Sequence, residues 1–82
     1  MTKHARFQAV VVPHLDRLVQ LAGRFGEEEA EDYVQETFTR AWVNFDQLAD
    51  PEAAFPWLCS ILFNVASEKR RLQGAPAQTG AD

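Results

Sequence analysis

The apolar residues of the first third fall at Phe7, Val10, Val11, Leu15, Leu18, Val19 and Ala22. Steps of one, three and four line one face of a helix. Pro13 interrupts the pattern. Because proline removes a backbone donor and crowds the preceding turn, a bend is predicted near residues 9–13. Gly23 and Gly26 predict the stop, with Phe25 between them folding back onto the core. A second helix is predicted to open in the acidic run Glu27–Glu29, where carboxylates suit the positive end of a helix dipole. Its apolar stripe is Ala30, Tyr33, Val34, Thr37, Phe38, Ala41, Trp42 and Phe45. Residues 46–55 then read as a connection. Within it Asp50-Pro51 is an N-cap followed by proline at the first helical position, and Pro56 repeats the signal. The two signals together predict a short helical turn at 51–54 and a main helix from about Pro56 to Leu72. Leu58, Ile61, Leu62 and Val65 form the buried stripe of that helix. Gly74 and Pro76 predict its end, and 73–82 has little to bury, so it is predicted to be a disordered tail that begins an interdomain linker. The fold class expected is all-α: a compact three-helix bundle over residues 5–72, its first helix kinked near Pro13.

Composition narrows the function. Eighty-two residues make one small domain with one core. No apolar run approaches the ~20 residues of a membrane span, and no apolar leader follows Met1-Thr2-Lys3-His4. A cytoplasmic protein without membrane partners is expected. Cys59 is the single cysteine, which excludes an internal disulfide and argues against a cysteine-based zinc site. His4 and His14 have no matching ligand pattern. There is no phosphate loop, no HExxH and no nucleophile paired with a base, so neither an enzyme nor a cofactor is expected.

Charge adds a partition. Residues 1–26 carry a net +3, residues 27–52 a net −8 and residues 53–82 a net +1, within a total of −4. A chain acidic in the middle and mildly basic at its flanks is not a generally basic nucleic-acid binder. Two polar stripes are candidates for function. On the second helix Asp32, Gln35, Glu36, Thr39 and Arg40 share the face opposite the apolar stripe, a surface suited to a basic helical partner through charge-assisted hydrogen bonds. On the third, Trp57, Ser60, Asn64, Ser67 and Arg71 recur at steps of three and four, an aromatic, amide, hydroxyl and cation in one line that could stack on and hydrogen-bond unpaired bases. Lys69-Arg70-Arg71 could hold phosphates or offset the negative helix end. From periodicity alone each stripe also reads as an ordinary solvated helix face.

The stretch Ala30-Glu31-Asp32-Tyr33-Val34-Gln35-Glu36-Thr37-Phe38-Thr39-Arg40-Ala41-Trp42 strongly resembles region 2.2 of bacterial sigma factors. Phe55-Pro56-Trp57-Leu58-Cys59-Ser60-Ile61-Leu62-Phe63-Asn64 with Arg70-Arg71 resembles regions 2.3–2.4 of the extracytoplasmic-function group of the sigma-70 family, and Pro13-His14-Leu15-Asp16-Arg17-Leu18 fits region 2.1. The three motifs stand in the family's order over about residues 7–71. The resemblance implies a helical, non-catalytic domain. Asp32, Gln35, Glu36, Thr39 and Arg40 would face the clamp coiled coil of the β′ subunit of core RNA polymerase. The third helix and the loop before it would engage the single non-template strand of the promoter −10 element. Phe55 and Asn64 would line a pocket for a flipped base, and Trp57, Ser60, Phe63, Ser67, Arg70 and Arg71 would flank the strand. An anti-sigma factor is implied as a regulatory partner. Flipping a base costs a few kcal/mol, which the pocket must offset.

Four positions depart from the family's pattern. Ser60 stands where arginine is usual, Phe63 where a basic residue is common, Glu68 where aspartate is usual and Tyr33 where leucine is usual. The two lost cations imply weaker phosphate contact and greater dependence on core docking. No helix-turn-helix for the −35 element follows, so the chain is expected to be an N-terminal domain of a longer factor or a truncated one. The alternative reading is a sigma-like interaction module bound by an anti-sigma factor and making no DNA contact of its own.

Overall fold

In the computed structural model, residues 2–72 are described in full and the last helix carries bounds to Ala81. Pro13 decides the shape of the N-terminal third. It has no N–H to give to the preceding turn, and the chain answers with a 3₁₀ turn at Val12–His14 that divides the first helix into α1 (Lys3–Val11) and α2 (Leu15–Gly23). The Val12 N–H still reaches the Gln8 carbonyl, so the break is a bend rather than a gap. It keeps Val11, Leu18 and Ala22 in one core, all with no exposure. Thr2 caps α1, its hydroxyl accepting from the Ala5 N–H at 3.1 Å.

The stop after α2 is not the left-handed glycine cap that the sequence suggests. No glycine among the described residues has a positive φ. Instead the last turn tightens: the Arg24 N–H donates to the Leu21 carbonyl and the Phe25 N–H to the Ala22 carbonyl, both at 3.0 Å. Phe25 does fold back against the core. The acidic run 27–29 forms a turn, and α3 opens at Ala30, three residues later than predicted, with Glu31 and Asp32 in its first turn. It runs to Val43, where Asn44 closes it, its backbone and side-chain nitrogens both donating to the Arg40 carbonyl at 2.9 Å.

The connection holds two 3₁₀ turns, Phe45–Gln47 and Pro51–Ala53. The second is the predicted one. Asp50 caps it, a carboxylate oxygen accepting from the Glu52 N–H at 3.0 Å, with Pro51 at the first position. The main helix α4 (Ala54–Ala81) begins two residues before Pro56. That proline sits in the first turn, where the N–H it lacks would have had no partner. α4 is helical to Ala81, past the stop predicted at Gly74 and Pro76; the side chains of the predicted tail 73–82 lie outside the described residues.

These helices close one core. Val11, Leu18 and Ala22 meet Tyr33, Val34, Thr37 and Ala41 of α3 and Leu58, Leu62, Val65 and Ala66 of α4. The Thr37 hydroxyl is buried in that core, and it donates to the Tyr33 carbonyl at 2.7 Å. Trp42, assigned to the buried stripe by periodicity, is 39 % exposed, because it lies at the end of α3 against α1 rather than under α4. There the Phe7 ring meets Trp42, Phe38 and Phe45 edge-on at 5.2–6.4 Å. Ile61 is only partly buried.

Leu62 is 1 % exposed in the middle of this core. Leu62→Ala should lower stability by about 2–5 kcal/mol, the cost of a truncated core leucine, read as a shifted urea midpoint at unchanged slope. Asp50→Ala, which removes only a cap, should cost about 1 kcal/mol in the same titration.

Candidate protein and nucleic-acid interfaces

Burying the apolar stripe of α3 turns its opposite side outward. Asp32, Gln35 and Thr39 are exposed there, and Glu36 and Arg40 are half-exposed. The Thr39 hydroxyl is bonded back to the Gln35 carbonyl at 3.1 Å. Asp32 shares a shallow groove with Glu29 and Lys69, so a cation of α4 stands near this end of the acidic face.

Arg40 differs from the rest of its row. Its guanidinium makes a bidentate bond to Glu68 of α4, at 2.7 and 3.1 Å, and its Nε donates to Glu36 at 3.1 Å. Sequence reading placed Arg40 on the docking row as a contact for a partner. In the structure it is engaged within the chain, tying α3 to α4. Periodicity could show the Glu36–Arg40 pair at a spacing of four, but Glu68 lies 28 residues away and only the tertiary fold brings it in. The hydrogen bonds from Arg40, aided by the nearby charges of Arg71 and Lys69, hold the Glu68 carboxyl below the ordinary carboxylate range. The same two carboxylates hold Arg40 firmly in its charged form.

On α4 the outward line is Ser60, Asn64, Ser67 and Arg71, all exposed, flanked by exposed Phe63 and Arg70. Trp57 does not share it. Its ring turns toward Phe45, centroids 6.4 Å apart, and packs against the core. Phe55, predicted in the loop before the helix, lies in the first turn of α4 and is half-buried. The Arg17 guanidinium sits 3.9 Å from its ring centre and the His14 ring 5.5 Å away. The first contact comes from α2 and the second from the 3₁₀ turn before it, and no local motif around Phe55 signals them. Phe63, by contrast, is 53 % exposed, with its ring edge-on to Phe25 at 5.3 Å. Cys59 is partly buried, and burial pushes its thiol above the ordinary range, so it is held protonated. Among the described residues no group of three or more His, Cys, Asp or Glu is placed to hold a metal, and no helix is long and apolar enough to cross a membrane.

The domain is all-α, with an acidic, amide-bearing face on α3 and a polar, cation-ended face on α4. The sigma-70 region 2 family model matches residues 10–75, and the chain belongs to that family. No curated protein and no solved structure matches it significantly. Membership gives a role in transcription initiation, with core RNA polymerase and promoter DNA as partners in general terms.

The Arg40–Glu68 link carries a pH signature. A depressed carboxyl contributes stability above its unfolded pKa and loses it as pH falls through the folded value. The Glu68 contribution should therefore be whole at neutral pH and vanish below the ordinary carboxylate range. Carboxyl NMR should find Glu68 titrating low in the wild type and returning upward toward 4.5 in Arg40→Met.

Proposed function

We propose that this domain is region 2 of an extracytoplasmic-function sigma factor. In this reading α3 docks on the clamp coiled coil of the β′ subunit, and α4 with the segment before it engages the −10 element as it opens. One observation supports the reading: within the matched segment the core leaves Asp32, Gln35 and Thr39 of α3 and Ser60, Asn64 and Ser67 of α4 among the exposed residues. Two faces of distinct chemistry on adjoining helices let one small body hold enzyme and strand together. Asp32 supplies a carboxylate for a basic helix and Gln35 both donors and an acceptor. Glu36 contributes less, since one oxygen already accepts from Arg40. Asn64 offers the amide that reads a base edge, Ser60 and Ser67 offer hydroxyls, and Arg70 and Arg71 bring charge for phosphates. Trp57 and Phe55 support the first turns of α4 from within rather than presenting open faces to bases.

The exposed Phe63 favours a second reading, a module covered by an anti-sigma factor. A large apolar side chain in the middle of a polar face suits a protein partner better than a phosphate backbone. The two readings are compatible in sequence of events, with the regulator lying over the strand-binding face until it is removed.

Asp32→Ala with Gln35→Ala should weaken binding to core polymerase tenfold or more, about 1.4 kcal/mol for the first decade. Thermal unfolding should stay close to that of the wild type, because both side chains are exposed. Full-strength binding by a folded double variant would remove α3 as the docking face. Asn64→Ala should leave core binding intact and slow −10 opening, followed by fluorescence of 2-aminopurine in the element. Unaltered opening would remove Asn64 from the strand site.

A further inference from the structure

The exposed line of α4 from Ser60 to Ser67 has no cation; its positive charge is confined to Lys69, Arg70 and Arg71 at one end. A strand laid along the rest of α4 would find hydroxyls and an amide but nothing for its phosphates. The neighbouring helix supplies what is missing. Arg17 and Gln20 on α2 and Arg24 at its C-cap stand at i, i+3 and i+7, all three exposed. They wall a groove of about 240 Å³ floored by Leu21 and Phe55. Seven residues at 1.5 Å each place the two arginines about 10 Å apart along the helix. No ion pair engages either of them among the described residues. Asp16 is the one acid of α2, and it makes none with them.

The groove adjoins the α4 face. Arg17 lies over Phe55 at the start of α4 and close enough to Cys59 to act on its thiol electrostatically. At the other end of α2, Phe25 meets Phe63. The polar side of α2 thus borders α4 from Phe55 to Phe63. One side of the Arg17 guanidinium is stacked on a ring; its other side faces outward, and a guanidinium plane is a stacking platform for a base.

We propose that this α2 groove is a second contact site for the single-stranded promoter DNA held by α4. Arg17 and Arg24 pair with backbone phosphates, Arg17 supports a base on its outer face, and Gln20 hydrogen-bonds between them. The proposal rests on the DNA reading of α4. Its occupant is a polyanionic strand with exposed bases, because two unpaired guanidiniums beside an aromatic floor suit phosphate and base together.

The test is fluorescence anisotropy of a fluorescein-labelled oligothymidylate with the 82-residue chain across about 50 to 200 mM salt, the range in which phosphate contacts show as a slope. Arg17→Gln/Arg24→Gln should bind more weakly. Its slope of log affinity against log salt should fall by about 1.4, which makes binding about sevenfold less salt-sensitive over that range. Arg24→Gln alone touches no ring and so spares the Phe55 packing; it should show about half that change. Arg17→Lys/Arg24→Lys should keep the slope. An unchanged slope and affinity in both glutamine variants, alongside loss in Arg70→Gln/Arg71→Gln, would overturn the proposal and leave α4 as the whole strand site. No binding by the wild type, or no effect of any arginine, would overturn the α4 reading and this one with it.

Discussion

One stripe of α4 holds the molecule together. Leu58, Leu62, Val65 and Ala66 are each at most 1 % exposed, and α2 and α3 both pack on them. A buried leucine or valine is worth about 1.5–3 kcal/mol, and a chain of this size has few such residues to spend. Because α4 is amphipathic, burying that stripe also decides which residues are left outside. The row from Ser60 to Arg71 faces solvent because the leucines do not. The same holds for α3, where Tyr33, Val34, Thr37 and Ala41 go in and Asp32, Gln35 and Thr39 come out. Function here is the complement of packing.

Arg40 adds a polar constraint to the apolar one. Its planar fork reaches one carboxylate on its own helix and one on α4, a bidentate geometry that a lysine cannot reproduce. Glu36 belongs to the docking row and Glu68 lies one residue before the cations that end α4. A single guanidinium therefore spans the two faces, and the angle between α3 and α4 cannot change without stretching it. On the proposed reading, which places enzyme contacts on α3 and strand contacts on α4, the tie between the two helices helps to hold them in one geometry.

Much of this was legible in the chain. The helix count, the bend at Pro13, the Asp50-Pro51 turn and the outward rows on α3 and α4 all follow from local rules of period, capping and proline chemistry. The features that local pattern did not show share a cause. Trp42 and Trp57 were placed by helical period alone, but where an aromatic at the edge of a stripe settles depends on which neighbour fills the adjoining space, here Phe7 and Phe45. Arg40 was read from its own helix, and its chief partner lies on another. Tertiary partners, not local preference, decided each case.

The partition of charge suggests why the two faces belong on one domain. The whole chain is at −4, and a polyanion approaching it is repelled at long range. Nearly all of that repulsion comes from residues 27–52, which hold −8, while the segments on either side together hold +4. On the proposed reading, docking covers the acidic face of α3 with a basic partner. What remains uncovered then includes the cations Arg17, Arg24, Lys69, Arg70 and Arg71, together with the acids that flank α3 at 27–29 and 46–52. At physiological salt the screening length is about 8 Å, comparable to the spacing between packed helices, so the acids of α3 lie near enough to oppose a strand on α4 until they are neutralised. Docking and strand capture are then coupled by electrostatics alone, without any change of shape. A domain with cations at Ser60 and Phe63 would bind DNA whether or not the enzyme was present. This one, lacking them, is expected to bind a strand weakly alone and more tightly once docked.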